Sequence, residues 1–149
     1  MTVTEAIDPL CGPHGLRTVR ETFARLYDAL YSQQHLPREV VELCRLRLAQ
    51  LHGGADEGTG QTITIDAERR AALSGWPSDE RFSSGEKACL GFAEVYAMDA
   101  GALTDDQAEA VRAEYGDAGL VTLIEALGVL DGLRRVSLLW SDVHLRERD

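Results

Sequence analysis

The sequence predicts an all-α domain of about six helices joined by short turns, a class in which packed helices share one core. Three observations carry this. Apolar residues recur every three or four positions along most of the chain. Helix-start residues stand at the heads of those segments. No stretch alternates with the period of two that a strand needs, and the β-like fragment Gln61 to Ile65 is too short to found a sheet.

Residues 1–15 hold Pro9, Gly12, Pro13 and Gly15 and read as an extended, mobile N-terminal segment ahead of a single domain over 16–149. The first helix starts at Leu16, with Val19, Phe23, Leu26, Tyr27 and Leu30 on one stripe. Pro37 opens the second from its first turn, and Val40, Leu43, Cys44, Leu48 and Leu51 face inward until Gly53 and Gly54 stop it. A loop follows from Ala55 to Thr64. Asp66 caps a short third helix, Ala67 to Leu73, ended by Gly75, Trp76 and Pro77. Ser83 with Glu86, and Thr104 with Gln107, form capping boxes for the fourth and fifth helices. The fourth turns Ala88, Cys89, Phe92, Ala93 and Tyr96 inward, and the fifth ends at Gly116. Asp117 opens the sixth, which runs to about Trp140 with Leu120, Leu123, Ile124, Leu127, Leu130, Leu133 and Val136 as its stripe. Gly128 and Gly132 lie four apart on it. Glycine inside a helix costs about 1 kcal/mol relative to alanine, so a close helix–helix approach, within or between subunits, is the expected compensation.

The 149 residues suit one core. The formal net charge is −10, from 25 acidic and 15 basic residues. Phosphates would be repelled, which argues against nucleic acid and anionic membrane as partners. No apolar run approaches the roughly 20 residues of a membrane span. The first nine residues lack the cationic and apolar blocks of a secretory signal, so the expected location is the cytoplasm. Three cysteines, Cys11, Cys44 and Cys89, are widely spaced and include no C-x-x-C. That excludes a disulfide framework and a local zinc knuckle, and it leaves Cys44 and Cys89 as small core residues. No glycine-rich phosphate loop and no nucleophile elbow is present.

The segment Arg38-Glu39-Val40-Val41-Glu42-Leu43-Cys44-Arg45-Leu46-Arg47-Leu48-Ala49-Gln50-Leu51-His52-Gly53-Gly54 resembles the core of the alkyl hydroperoxidase D / carboxymuconolactone decarboxylase (AhpD-like) family. There a "REL…LRVAQLNGC" helix runs into C-x-x-C-x-x-x-H. Downstream, 66–73, Ser83 to Ala97, and Leu103 to the long apolar helix resemble the family's later helices, so the resemblance spans Leu16 to Leu139. It implies an AhpD-like helical bundle that assembles as a dimer, trimer or hexamer. The departure lies at the reactive groups. The first cysteine falls on Gly54, the second on Glu57 and the histidine on Gln61. The family's proton-relay glutamate, twelve positions before the first cysteine, falls on Glu42, which is present.

A thiolate must attack a peroxide and a second thiol must resolve it; neither Gly54 nor Glu57 can serve. The candidate site residues are therefore Glu42, His52 and Glu57. A buried Glu42 would have a raised pKa and could act as general acid or base, or it could be paired with Arg38, Arg45 or Arg47. His52 could exchange protons near neutral pH, or bond the last carbonyls of its helix. His52 with Asp56 and Glu57 also suggests a metal, but the glycines between them break the helical spacing and no second histidine is near, so no metal and no cofactor is expected. His14, His35 and His144 read as surface residues, and Trp76 and Trp140 as core or interface packing. Three functions compete. The first is binding or transforming a small organic molecule by acid/base chemistry, in the manner of a lyase or isomerase. The second is a non-catalytic oligomeric scaffold or regulator. The third is residual alkyl hydroperoxidase activity on a lone cysteine.

Overall fold

The computed structural model describes residues 17–53 and 63–146, without the side chains of 17–20, 137 and 139–146. The N-terminal segment 1–15, most of the loop after Gly53, and the side chains of Trp140 and His144 lie outside the described residues. Helix α1 spans Arg17–Ser32, α2 Arg38–Leu51, α3 Ala67–Ala72, α4 Ser84–Asp99 and α5 Asp105–Arg146. Tight 3-10 turns at Leu73–Ser78 and Ala100–Ala102 follow α3 and α4. Among the described residues there is no strand, and 63–66 are irregular.

The starts of α3, α4 and α5 are set by side chains that satisfy otherwise unpaired N–H groups. Asp66 Oδ1 accepts from the Arg69 N–H at 2.9 Å. Ser83 Oγ accepts from the Glu86 N–H at 3.2 Å while Glu86 Oε2 accepts from the Ser83 N–H at 2.8 Å. Thr104 and Gln107 repeat the exchange at the head of α5, at 3.3 and 3.0 Å. Ser83→Ala is expected to cost about 1 kcal/mol, seen as a lower urea midpoint at unchanged slope.

Three boundaries differ from the sequence reading. Pro37 stands just before α2, at φ −57° and ψ 140°, with its carbonyl accepting from the N–H groups of Val40 and Val41. A proline lacks only an N–H, so its carbonyl still closes the first turn. Gly75, Trp76 and Pro77 do not end the helical path; it tightens from α3 into a 3-10 turn that contains them. The fifth and sixth helices are one span, broken at Gly116 (φ 71°, ψ −178°) and running past Trp140 to Arg146. One residue in a conformation open to glycine breaks the ladder, and no separate loop is needed.

Helix α2 sits at the centre and is buried through its middle from Val40 to Ala49, where its polar residues Glu42, Arg45 and Arg47 each find a side-chain partner. Val40, Val41, Cys44 and Leu48 join Cys89, Phe92 and Ala93 of α4 and Leu123, Leu127 and Leu130 of α5 in the main core. Leu43 and Leu46 face the other way, into a smaller cluster with Ile65, Leu73, Phe82 and Leu90. Trp76 packs on that cluster, and its Nε1–H donates to Glu94 Oε1 at 2.8 Å. Arg47 Nε meets the same oxygen at 2.6 Å, which ties α2 to α4.

The predicted stripes were too wide. Leu26, Ile124 and Val136 are exposed. Leu26 and Ile124 fall at the edges of their stripes, and Val136 lies nine residues past Leu127, about two and a half turns, hence on the opposite side. The expected close approach at Gly128 and Gly132 is not made within the subunit. A Cβ on Gly128 would meet the Tyr96 hydroxyl at an ordinary 3.6 Å, and one on Gly132 would meet nothing within 4 Å. No described helix is long and apolar enough to cross a membrane.

Candidate functional site

Glu42 occupies the middle of α2, where the helix has no solvent face, and its exposure is 0 %. Two partners meet its charge. The Tyr31 hydroxyl, from α1, donates to Oε2 at 2.9 Å. Arg45, three residues on, forks across the carboxylate: Nη2 donates to Oε1 at 2.7 Å and Nε to Oε2 at 3.0 Å. Burial, and then the charge on Glu42, hold the Tyr31 hydroxyl above the ordinary tyrosine range, so it stays a donor. Burial works against the charge on Arg45, but the hydrogen bonds and field of Glu42 outweigh it and hold the guanidinium above the usual arginine range. Of the arginines considered from the sequence, Arg45 is the one that pairs. Charge-assisted, bidentate bonds are the strong kind, and here they answer a carboxylate that solvent does not reach.

His52 caps the C-terminal end of α2. Its backbone N–H donates to the Leu48 carbonyl, but its ring does not serve the helix end. The ring reaches across to α5, where Nε2 lies 2.6 Å from Asp131 Oδ1. Asp131 is itself buried, and its other oxygen accepts from Arg135 Nε at 2.7 Å. The His52 side chain keeps 16 % of its surface open. Ten residues separate Glu42 from His52 along one helix, about 15 Å of axial rise. Each has its own partners, and the structure does not bring the two together.

Glu57, with Gly54, Asp56 and Gln61, lies outside the described residues. Among the described residues no three His, Cys, Asp or Glu side chains gather as metal ligands. Cys44 and Cys89 are free and buried. Burial, and then Cys89, push the Cys44 thiol well up; burial, then Glu114 and Glu86, push Cys89 up to about 12. A surface depression of about 730 Å³, with Glu68, Ser74, Asp79 and Arg81 on its rim, lies along α3 and the turn after it and touches neither Glu42 nor His52.

A crystal structure from Agrobacterium tumefaciens superposes on this arrangement with a TM-score of 0.69 at 20 % identity, over 83 % of this chain and 88 % of that one. It belongs to a protein of unknown function that is provisionally assigned to antioxidant defence under the name AhpD. The chain has the AhpD-like fold. No family model matches the sequence, and no curated protein does.

Within the AhpD-like fold, the residues that sequence reasoning missed are Tyr31, Asp131 and Arg135. Tyr31 carried a faint signal, because it follows Tyr27 and Leu30 on the buried side of α1 and a buried hydroxyl needs a partner. Asp131 also carried one: it is an acid on the leucine stripe of α5, and an acid there must be answered. Nothing in the chain said that the answer was His52, 79 positions away.

Proposed function

We propose that this chain binds and acts on a small organic molecule by proton transfer, without thiol redox cycling. The observation that carries the reading is His52, partly open and held at 2.6 Å by a buried carboxylate, at the end of the helix that leads into the family's reactive segment. A base oriented by an acid is the recurring form of a proton-transfer centre. Glu42, sealed by Arg45 and Tyr31, holds charge within the core and does not touch substrate. Glu57, five positions past His52 along the sequence and outside the described residues, is a further candidate acid. An enolisable ketone, lactone or small organic acid undergoing isomerisation, decarboxylation or elimination fits this chemistry. The Agrobacterium neighbour's provisional description points to antioxidant defence, but here Gly54 and Glu57 stand where thiols would be needed.

Purified protein is expected to exchange the α-protons of at least one compound in a panel of ketones and lactones in D2O, followed by proton NMR, and His52→Ala is expected to abolish that exchange. With hydroperoxide and a dithiol donor it is expected to show no turnover above background. Dithiol-dependent peroxide turnover well above background would overturn the reading. A second reading, a non-catalytic scaffold, is favoured by the complete burial of Glu42; it takes over if no compound in the panel exchanges. Under either reading the partner proposed is a second copy of the chain, seated on the outward face of α5 where Val121, Ile124 and Gly128 are exposed. Sedimentation as a monomer at micromolar concentration would remove that partner.

A further inference from the structure

A carboxylate accepts hydrogen bonds and cannot donate one. Asp131 Oδ2 already accepts from Arg135 Nε at 2.7 Å, and Oδ1 lies 2.6 Å from His52 Nε2. The ring hydrogen of neutral His52 therefore sits on Nε2, and the lone pair left for chemistry is on Nδ1. We propose that Asp131 is the positioning residue that fixes His52 as an Nδ1 base, and that the proton it takes is the α-proton of a carbonyl compound. This rests on the proton-transfer role of His52 proposed above.

Proton transfer to His52 leaves the substrate an anion beside a ring that Asp131 can stabilise. Asp131 and Arg135 carry opposite charges, so with the His52 ring neutral the group is balanced. Arg135 is steadied in turn by α4, where the Ala97 carbonyl accepts from Nη2 at 3.1 Å. When Nδ1 takes a proton, the ring becomes positive as the substrate becomes negative, and Asp131 stabilises the imidazolium. The C–H bond breaks, its electron pair moves into the C–C bond, and the carbonyl π pair settles on oxygen as an enolate. Return of a proton from Nδ1 to carbon closes the cycle. No electrons leave or enter, so no oxidant or reductant is called for.

The test is nitrogen NMR of protein labelled at histidine, at a pH where the ring is neutral, run beside the deuterium-exchange assay. The wild-type chain is expected to show His52 as the Nε2–H tautomer. Asp131→Asn is expected to lose that preference and to slow exchange about 10²-fold through kcat, with KM little changed; Asp131→Glu is expected to restore part of both. An Nδ1–H tautomer in the wild-type spectrum overturns the inference without recourse to any variant. Exchange that depends on His52 but is indifferent to Asp131→Asn overturns it while leaving the proposed function standing. An Nε2–H tautomer with no exchange of any carbonyl compound removes the proposed function and reduces Asp131 to a structural partner.

Discussion

Replacing Arg45 with alanine is expected to destabilise the domain by about 3–5 kcal/mol, because it leaves a buried carboxylate without its counter-charge. Glu42 is wholly enclosed, and among the described residues Tyr31 would remain to meet its charge. Such a loss is a large share of the roughly 5–15 kcal/mol that holds a domain together. Urea titration should show it as a lower midpoint, and Glu42→Gln should cost less, since the charge it leaves behind, on Arg45, keeps 13 % of its side chain open to water and the amide oxygen can still accept from Tyr31 and Arg45. Removing both charges with Glu42→Met and Arg45→Met together should recover much of the loss, because apolar packing can replace a buried pair. A double variant no more stable than Arg45→Ala would mean that Arg45 acts through its packing and not through the pair.

The second large effect concerns sulfur. In a Cys11→Ser background, native protein at pH 8 is expected to react with a disulfide reagent about 10³-fold more slowly than unfolded chain, since a thiol moved from 9.0 to about 12 holds about 10³-fold less thiolate. Fast reaction of Cys44 or Cys89 would contradict the packing and revive peroxide chemistry on a lone cysteine. The same shift makes stability depend on pH. The folded pKa is raised, so between about 9 and 12 the folded chain binds more protons than the unfolded one, and the stability it has below pH 9 falls as pH climbs through that window. Tyr115, pushed up from 10.0 to about 12 by burial and then by Cys89, adds to the fall in its upper part.

Much of the fold was legible because its signals are local. Asp66, Ser83 and Thr104 each cap within three residues of themselves, and the leucine stripe of α5 needs only the helical period. Glu42 was legible as a candidate through the resemblance, which puts the family's proton-relay glutamate at that position of α2. Its sealing was not, because Tyr31 comes from another helix and the choice among Arg38, Arg45 and Arg47 is settled by rotation about α2. His52 was legible as a residue and illegible as a pair, since Asp131 is reached only after the chain has folded back through α3 and α4. The outward turn of Ile124 and Val136 shows the limit of periodicity, which gives a direction and not a width.

Gly116 carries a last consequence. Nothing lies within 4 Å of where a Cβ would stand, so the position has room for bulk and excludes it only by handedness. At φ 71° and ψ −178° an L side chain strains the backbone, whereas those angles are the ones a residue of the opposite chirality prefers. The break that divides α5 is thus a stereochemical choice: among the twenty encoded residues only the achiral one meets it without strain, and a mirror-image alanine, with fewer shapes to give up on folding, would hold the bend more firmly than glycine does.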